Sequence, residues 1–479
     1  MPRQHPAVSL LFVLVLLGHA AIAAVRVEPV TIPPPRASHP CVYIDRSHDW
    51  MFAYDDLADR MLAPTGFDAV LSDASLTAVG PLDRFAVVVV QQLSWPTLVS
   101  CDETTLLKNY VRQGGRLVLI TKPEMPLEAL AQEFGFRLRA GGAAPLQAAG
   151  PLVENGSPRS VPTRAVRFHL QRSPAHTVLI EDGNGDPVVA AVNVGQGRVV
   201  VWADDHAYWD FCAQRDKHTG EVASAPTTTA LFQWLVDGTA AKTKGRTPRV
   251  FAENVDQRGA LIFRYALPVA SPAQEMIERV PAVLKVVKKW NGLGPPVDQP
   301  FTIHWLAAGG GGWAGPRGAG VCVFGADPAY PIKVMGHELT HSASGNLTRA
   351  FGEAWAVIVG VRSAAALGYV ESARKEIDAN LAQLKREDPT LRKLDLMDSM
   401  RGPMNHAYQR KALWLMLQLE KRYGSDFMSR FLALRNHKYG LRTPIDLQQV
   451  FELFAETSGD PGIWKRFAAC GTSVKPRSK

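Results

Sequence analysis

The chain has 479 residues, of which 46% are hydrophobic and 20% are charged. This length predicts two or three domains, and the composition is that of a soluble globular protein rather than a disordered or fibrous one. The net charge of +8 is spread along the chain without basic runs interleaved with aromatic residues, so nucleic-acid binding is not expected.

Residues 1–24 have the features of a secretory signal peptide. Arg3 gives a positive start, Val8–Leu17 is an apolar run, and Ala21 and Ala23 form a small-x-small cleavage site. The apolar run is too short to span a bilayer. We therefore expect cleavage, a secreted or periplasmic location, and no stable membrane insertion of the mature chain.

Residues 40–240 alternate between buried strand patterns and helix patterns. Phe85–Gln91 and Arg116–Thr121 are apolar runs typical of central parallel strands. Between them, Ser100 and Glu103 have the spacing of a capping box that begins a helix. The alternation predicts a doubly wound α/β domain.

The strings FAVVVVQQ, RQGGRLVLIT and NVGQGRVVVWADD in this region resemble class I glutamine-amidotransferase-like domains, which are flavodoxin-like. Those enzymes carry a nucleophilic cysteine on a sharp turn after a central strand. Here Leu93, Ser94 and Trp95 follow the strand, and no G-x-C-x-G string occurs. We therefore expect a non-catalytic recognition or scaffolding domain.

A second unit follows a polar linker and divides into a mixed strand–helix lobe, residues 249–330, and a helical lobe, residues 331–470. The first lobe has predicted strands at Ala260–Tyr265, Phe301–Leu306 and Gly320–Phe324, and a helix reaching Trp290 that Pro281 should kink or split. The chain is almost wholly helical beyond Glu353. The predicted fold is thus a multidomain α/β plus α+β protein.

The junction of these lobes contains His337-Glu338-Leu339-Thr340-His341, an HExxH pattern. Residues i and i+4 lie on one face of a helix, so the two imidazoles can hold one zinc ion. Glu338 can then act as the general base toward a water molecule. Ile332 and Met335 give the helix an apolar side that would pack in a core.

A third metal ligand is expected from a following helix. Ser344 and Leu347 stand where a metzincin would have glycine and histidine, so that class is excluded. Glu353 lies in an apolar stretch where an unpaired carboxylate would be costly to bury, whereas Glu371 and Glu376 lie in a charged stretch. We therefore favour Glu353 as the third ligand of one zinc ion per chain.

HELTH followed by GEAWA resembles the gluzincin zinc peptidases, in which a glutamate in an E-[GA]-[FW]-A string completes the site. The string YQRKALWLMLQLEKRYGSDF is similar to the tyrosine-bearing helix of aminopeptidase-N-like members. That resemblance implies stabilisation of the transition state by Tyr408. Apart from the resemblance, His406 is a second candidate donor to the oxyanion.

The chain departs from the aminopeptidase-N pattern at two places. The gap between His341 and Glu353 is shorter than in the aminopeptidase-N pattern and falls in the range of the enhancin-like branch. The residues that follow Glu353, however, do not match those of the enhancin-like branch. Alignment on Lys411 and Gly424 also places Gln409, rather than Tyr408, at the tyrosine position. The subfamily therefore stays open.

The sequence thus predicts a zinc metallopeptidase that hydrolyses peptides, proteins or glycoproteins, with Glu338 as general base. The alternatives are a glycoprotein-directed, mucinase-like metalloprotease, an enzyme whose active site is in the first domain, and a zinc-binding scaffold without catalysis. From its order along the chain, Gly320–Phe324 is a candidate edge strand for pairing with an extended substrate, or otherwise a core strand.

Overall fold

The computed structural model describes residues 25–50, 53–93, 97, 99–142, 145–153, 160–161, 167–203, 225–238, 241–295, 299–307, 311–325, 327–344, 347–400, 406–441 and 443–476. The predicted signal peptide, residues 1–24, lies outside these ranges. Among the described residues, none of the helices is both long and apolar enough to cross a membrane.

The first half of the chain forms short strands with helices between them. The strands are β1 (Arg26–Val27), β2 (Cys41–Asp45), β3 (Asp68–Ser72), β4 (Val87–Gln92), β5 (Arg116–Thr121), β6 (Leu138–Ala140), β7 (Leu146–Ala148), β8 (Ser160–Val161), β9 (Phe168–Leu170), β10 (Thr177–Asp182), β11 (Pro187–Val194), β12 (Gly197–Ala203) and β13 (Arg249–Val250). The helices are α1 (Ala53–Asp56), α2 (Leu76–Val79), α3 (Cys101–Arg112), α4 (Pro126–Glu133) and α5 (Ala225–Leu235); α1 continues as the π-helical segment Leu57–Leu62 and the 3₁₀ turn Ala63–Thr65, and a further 3₁₀ turn is Gly150–Leu152.

Ten of these strands form one sheet in the order β13-β3-β2-β4-β5-β12-β11-β10-β7-β8. In this order, each neighbouring pair from β13 through β12 is parallel, and each pair from β12 through β8 is antiparallel. Ile44 of β2 packs on the side of Leu57 and Phe232, whereas Tyr43 packs on the side of Leu107 and Leu127. Helices therefore cover both faces of the parallel part, which confirms the predicted α/β arrangement.

The second half contains a six-stranded sheet and a set of helices. The strands are β14 (Asn254–Arg258), β15 (Leu261–Tyr265), β16 (Phe301–Leu306), β17 (Gly312–Gly315) and β18 (Gly318–Cys322), in the order β1-β14-β15-β16-β18-β17. The helices are α6 (Ala270–Asn291), α7 (Tyr330–Ser344), α8 (Arg349–Ala366), α9 (Val370–Glu387), α10 (His406–Tyr423), α11 (Phe427–Tyr439), α12 (Leu447–Ser458) and α13 (Ile463–Ala469), with 3₁₀ turns at Leu267–Val269 and Leu396–Met400. Sheet and helices share one hydrophobic core.

The structure corrects the predicted edge strand. β18, which contains most of Gly320–Phe324, lies between β16 and β17, so its assignment as an edge strand is wrong. The strand at that end of the sheet is β17, which comes from the glycine-rich segment before it.

Two helices also differ from expectation. Helix α6 runs unbroken through Pro281, so the predicted split of the helix is wrong. Pro281 lies on the exposed side, while Ile277, Val280 and Val283 remain buried in the core. Helix α8 begins at Arg349, before the predicted start at Glu353.

Candidate metal centre

Helices α7 and α8 pack side by side because two glycines let their backbones approach closely. A Cβ atom on Gly336 would lie 2.5 Å from Ser363 Oγ, and one on Gly360 would lie 2.5 Å from the Lys333 carbonyl oxygen. Ile332, Met335 and Leu339 of α7 are fully buried in the shared core. The helix is therefore held with its histidine-bearing side toward α8.

The structure brings His337, His341 and Glu353 together. The two histidine Nε2 atoms lie 3.0 Å apart. Glu353 Oε2 lies 3.3 Å from His337 Nε2, and Glu353 Oε1 lies 3.5 Å from His341 Nε2. Tetrahedral zinc with bonds of about 2.0–2.2 Å separates neighbouring ligand atoms by roughly 3.3–3.6 Å. The two distances to Glu353 lie in this range, and the distance between the imidazole nitrogens is shorter. Two imidazoles and a carboxylate are a donor set that fits zinc.

Electrostatics ties the three side chains to one another. Burial opposes ionisation of Glu353, but hydrogen bonds and charge from His337 and His341 hold the pKa of its carboxyl well below the usual range. Burial likewise opposes protonation of His341, yet Glu353 raises the pKa of that imidazole. The carboxylate therefore supplies the negative charge that keeps this cluster together.

The other two glutamates considered for the third position have different partners. Glu376 lies 2.7 Å from Lys333 Nζ, and the exposed Glu371 lies 2.7 Å from an Arg374 guanidinium nitrogen. Both carboxylates are thus occupied in ion pairs, whereas Glu353 faces the two histidines.

Glu338 lies beside the cluster and is buried. Single donor atoms of His337, Glu338 and His341 all lie within 4.8 Å of one another. Burial raises the pKa of Glu338, and the charge of the neighbouring imidazoles partly opposes this shift. A carboxylate at this position can exchange a proton with a molecule that lies next to the three candidate ligands.

These residues line a cleft of about 1020 Å³. Strand β17 forms one side, through residues that include Gly312 and Trp313, and α8 contributes Gly352 and Val357. A Cβ atom on Gly312 would lie 2.8 Å from Glu338 Cγ, so the strand passes directly over the candidate base.

Helix α10 closes another side of the cleft, but not with the tyrosine expected from sequence. His406, Gln409 and Arg410 line the cleft, whereas Tyr408 packs against the hydrophobic core. His406 Nδ1 lies 3.0 Å from Gln409 Oε1, so two hydrogen-bonded polar side chains of the first turn of α10 face the cleft. In the sequence, the alignment that places Gln409 at the tyrosine position already indicates that Gln409, rather than Tyr408, lines the cleft.

A second cluster with metal-ligand chemistry, His169, Asp182 and Asp186, lies in the first half of the chain. Asp182 Oδ1 accepts the backbone amides of Asn184 and Asp186 at 2.9 Å, and its Oδ2 lies 3.1 Å from His169 Nε2. Asp186 pairs with Arg139. These contacts are those of a tight turn between β10 and β11.

No family model matches the sequence, and no curated protein matches it either. Among solved structures, the chain is similar to the N-terminal domain of mmIFT52, at 11% identity and a TM-score of 0.32, over 41% of this chain and 98% of that one. Native yeast LTA4 hydrolase is 14% identical with a TM-score of 0.33, over 47% of this chain and 41% of that one. An exo-beta-1,4-mannosidase from Opitutaceae bacterium strain TAV5 is 17% identical with a TM-score of 0.26, over 35% of this chain and 32% of that one. The chain spans less than half the length of the two enzymes, and similarities of this size assign neither a family nor an activity.

Proposed function

We propose that this protein is a zinc-dependent peptidase of the gluzincin type, with one zinc ion held by His337, His341 and Glu353. The observation that carries the proposal is the approach of the three donor groups to within 3.0–3.5 Å, with Glu338 beside them in the cleft. A bound zinc ion supplies a Lewis acid, which activates water and polarises a carbonyl group.

Glu338 is the proton carrier in this proposal. Its carboxylate takes a proton from the attacking water as the new C–O bond forms, and returns it to the amide nitrogen as the C–N bond breaks. One water molecule is thereby added across the peptide bond, without an oxidant or a co-substrate. The burial of Glu338 supports this role, because a carboxylate with a raised pKa binds and releases a proton more readily near neutral pH.

Strand β17 is the proposed substrate-binding edge. In the six-stranded sheet it pairs with β18 on one side, and its residues line the cleft on the other. Backbone groups at a sheet edge can pair with an extended peptide. The lack of a side chain at Gly312 lets β17 lie close to Glu338. Ser342 Oγ donates a 3.2 Å hydrogen bond to the Gly315 carbonyl, which ties the strand to α7.

The role of the remaining chain in this proposal comes from the sequence. Residues 1–24 would direct export, and the ten-stranded sheet unit would serve as a non-catalytic module that recognises or positions the substrate. The division into residues 40–240, 249–330 and 331–470 is part of the same proposal.

Metal analysis combined with active-site variants tests the proposed function. The wild-type protein should contain about one zinc ion per chain and hydrolyse peptides. Glu338→Gln should retain the zinc and lose hydrolysis, whereas the double change His337→Ala and His341→Ala should lose both. Hydrolysis that survives Glu338→Gln would refute the mechanism, and zinc that survives loss of both histidines would refute the site.

A further inference from the structure

Among the residues that the structure describes, the charged side chains lining the cleft outside the metal centre are paired with one another or with neighbours. Lys333 Nζ lies 2.7 Å from Glu376 and 3.4 Å from Asp327. Arg410 Nη1 lies 2.8 Å and 3.0 Å from the two carboxylate oxygens of Glu387. Among the described lining residues, Lys333, Glu376 and Arg410 are the charged groups besides the metal-centre residues and His406. Each of these three groups therefore has an oppositely charged partner within the protein.

The other described residues that line the cleft outside the metal centre are uncharged, and they are either polar or apolar. Tyr330, Asn380 and Gln409 line it, together with Val334 and Val357. A surface of this kind binds backbone amides and uncharged side chains. It does not compensate the loss of hydration that a free ammonium or carboxylate suffers when it enters a cleft.

The geometry of β17 matches the same type of substrate. Its four residues Gly312–Gly315 line the cleft, and Glu338 lies beside the first of them, so a chain paired with β17 would pass the candidate base at Gly312. A substrate held by an edge strand is recognised through repeated backbone hydrogen bonds, which are available at any point of an extended chain.

We infer that the cleft takes internal segments of extended polypeptides, and that the enzyme is an endopeptidase that recognises neither chain terminus. The inference rests on the proposed peptidase function and specifies its substrate class. Paired charges among the described lining residues, and a strand that lies at the end of the described sheet, define a site for the middle of a chain. A site that releases terminal residues would instead gain affinity from an unpaired charge placed to bind the terminal ammonium or carboxylate.

Two matched peptides test this inference with the zinc-loaded wild-type protein. Both contain the same internal sequence; one has free termini, and the other has an acetylated amino terminus and an amidated carboxyl terminus. We expect kcat/KM values within about fivefold of each other, which is the most that an exposed ion pair with a terminus would contribute. Mass spectrometry should identify internal fragments as the first products from both peptides.

The outcomes separate the inference from the proposed function. Hydrolysis of the free peptide alone, or stepwise release of single residues from one end, would overturn the inference and leave the peptidase in place. Failure to hydrolyse either peptide, in protein shown to contain zinc, would overturn the proposed function itself. Glu338→Gln, assayed on both peptides, is the control for peptidases carried over from the expression host.

Discussion

At the scale of single residues, Glu353 distinguishes a complete metal site from a pair of neighbouring histidines. Glu353→Gln keeps the size of the side chain and removes its charge, so we expect zinc affinity to fall by about 100-fold or more. Competition with a zinc-binding indicator dye measures the change. Glu371→Gln is the matched control, because Glu371 is exposed and paired with Arg374. Equal affinities of Glu353→Gln and the wild-type protein would exclude Glu353 as a ligand.

The first turn of α10 offers a second test at the residue scale. His406 and Gln409 line the cleft and Tyr408 packs against the core, so a donor to the transition state is expected from the first two. We expect His406→Ala to lower kcat by about 100-fold, as loss of one such donor does in other hydrolases. Tyr408→Phe should leave kcat within about twofold. Steady-state kinetics on one peptide compares the two; the reverse result would assign the donor role to Tyr408.

These residues show what a sequence can and cannot specify about such a site. The HExxH spacing predicts which side chains share a helix face, because that depends on local geometry alone. The position of Tyr408 depends on the rotation of α10, and a shift of one residue turns a side chain by about 100° around a helix. The choice between Glu353 and Glu376 depends on how α8 and α9 pack, which involves contacts distant in sequence.

At the scale of elements, the contact between α7 and α8 positions the candidate ligands on the two helices. Gly360→Ala would place a Cβ atom 2.5 Å from the Lys333 carbonyl oxygen, so the helices must separate. We expect the free energy of unfolding to fall by about 1–3 kcal/mol and zinc affinity to fall with it. Denaturant titration and metal competition measure the two effects.

Gly352→Ala in the same helix is the control for the change in helix propensity. A Cβ atom there would have its nearest neighbour at 3.5 Å, an ordinary contact. Because alanine is the better helix former by about 1 kcal/mol, this variant should be as stable as the wild-type protein or more stable. If Gly360→Ala behaves in the same way, the close approach does not limit stability.

Strand β17 and the continuity of α6 through Pro281 were not predicted from sequence patterns, and both depend on contacts with neighbouring elements. Strand β17 is rich in glycine and has no alternating pattern, yet it forms because β18 offers it a partner across a tight hairpin. Pro281 should interrupt a helix. The buried residues of α6 on either side of it keep one face toward the core, and they maintain the helix. Strongly apolar strands such as β4 and β5, by contrast, could be predicted directly.

At the scale of the whole molecule, the two sheets are connected more closely than the linker composition suggests. β1 precedes the ten-stranded sheet in sequence but pairs with β14 of the six-stranded sheet, while β13 pairs with β3. Glu253 lies between the sheets and accepts hydrogen bonds from the backbone amides of Ser75 and Leu267. Stability of either unit should therefore affect the other.

The buried His48 makes that stability depend on pH. Its ring lies between two carboxylates, with Nδ1 2.7 Å from Asp45 and Nε2 3.3 Å from Glu103. Burial opposes the charged form of the imidazole, but Asp45 and Glu103 outweigh it and raise the pKa of His48 to about 10. The folded protein thus keeps a proton on this ring at pH values where the unfolded chain has released it.

A raised pKa in the folded state contributes stability that is fully present below the unfolded pKa, near 6.5, and is lost as pH rises toward 10. Between these two pH values, the contribution of His48 to the free energy of unfolding falls by up to about 1.4 kcal/mol per pH unit.

We expect the difference in unfolding free energy between the wild-type protein and His48→Gln to shrink accordingly, as measured by denaturant titration between pH 6 and pH 10. Contributions from groups that do not contact His48, such as His341, are common to both proteins and cancel in the difference. His437→Gln, at an exposed position, is the control for the loss of an imidazole side chain. A constant difference for His48→Gln across the same range would mean that the ring is not charged between its two carboxylates.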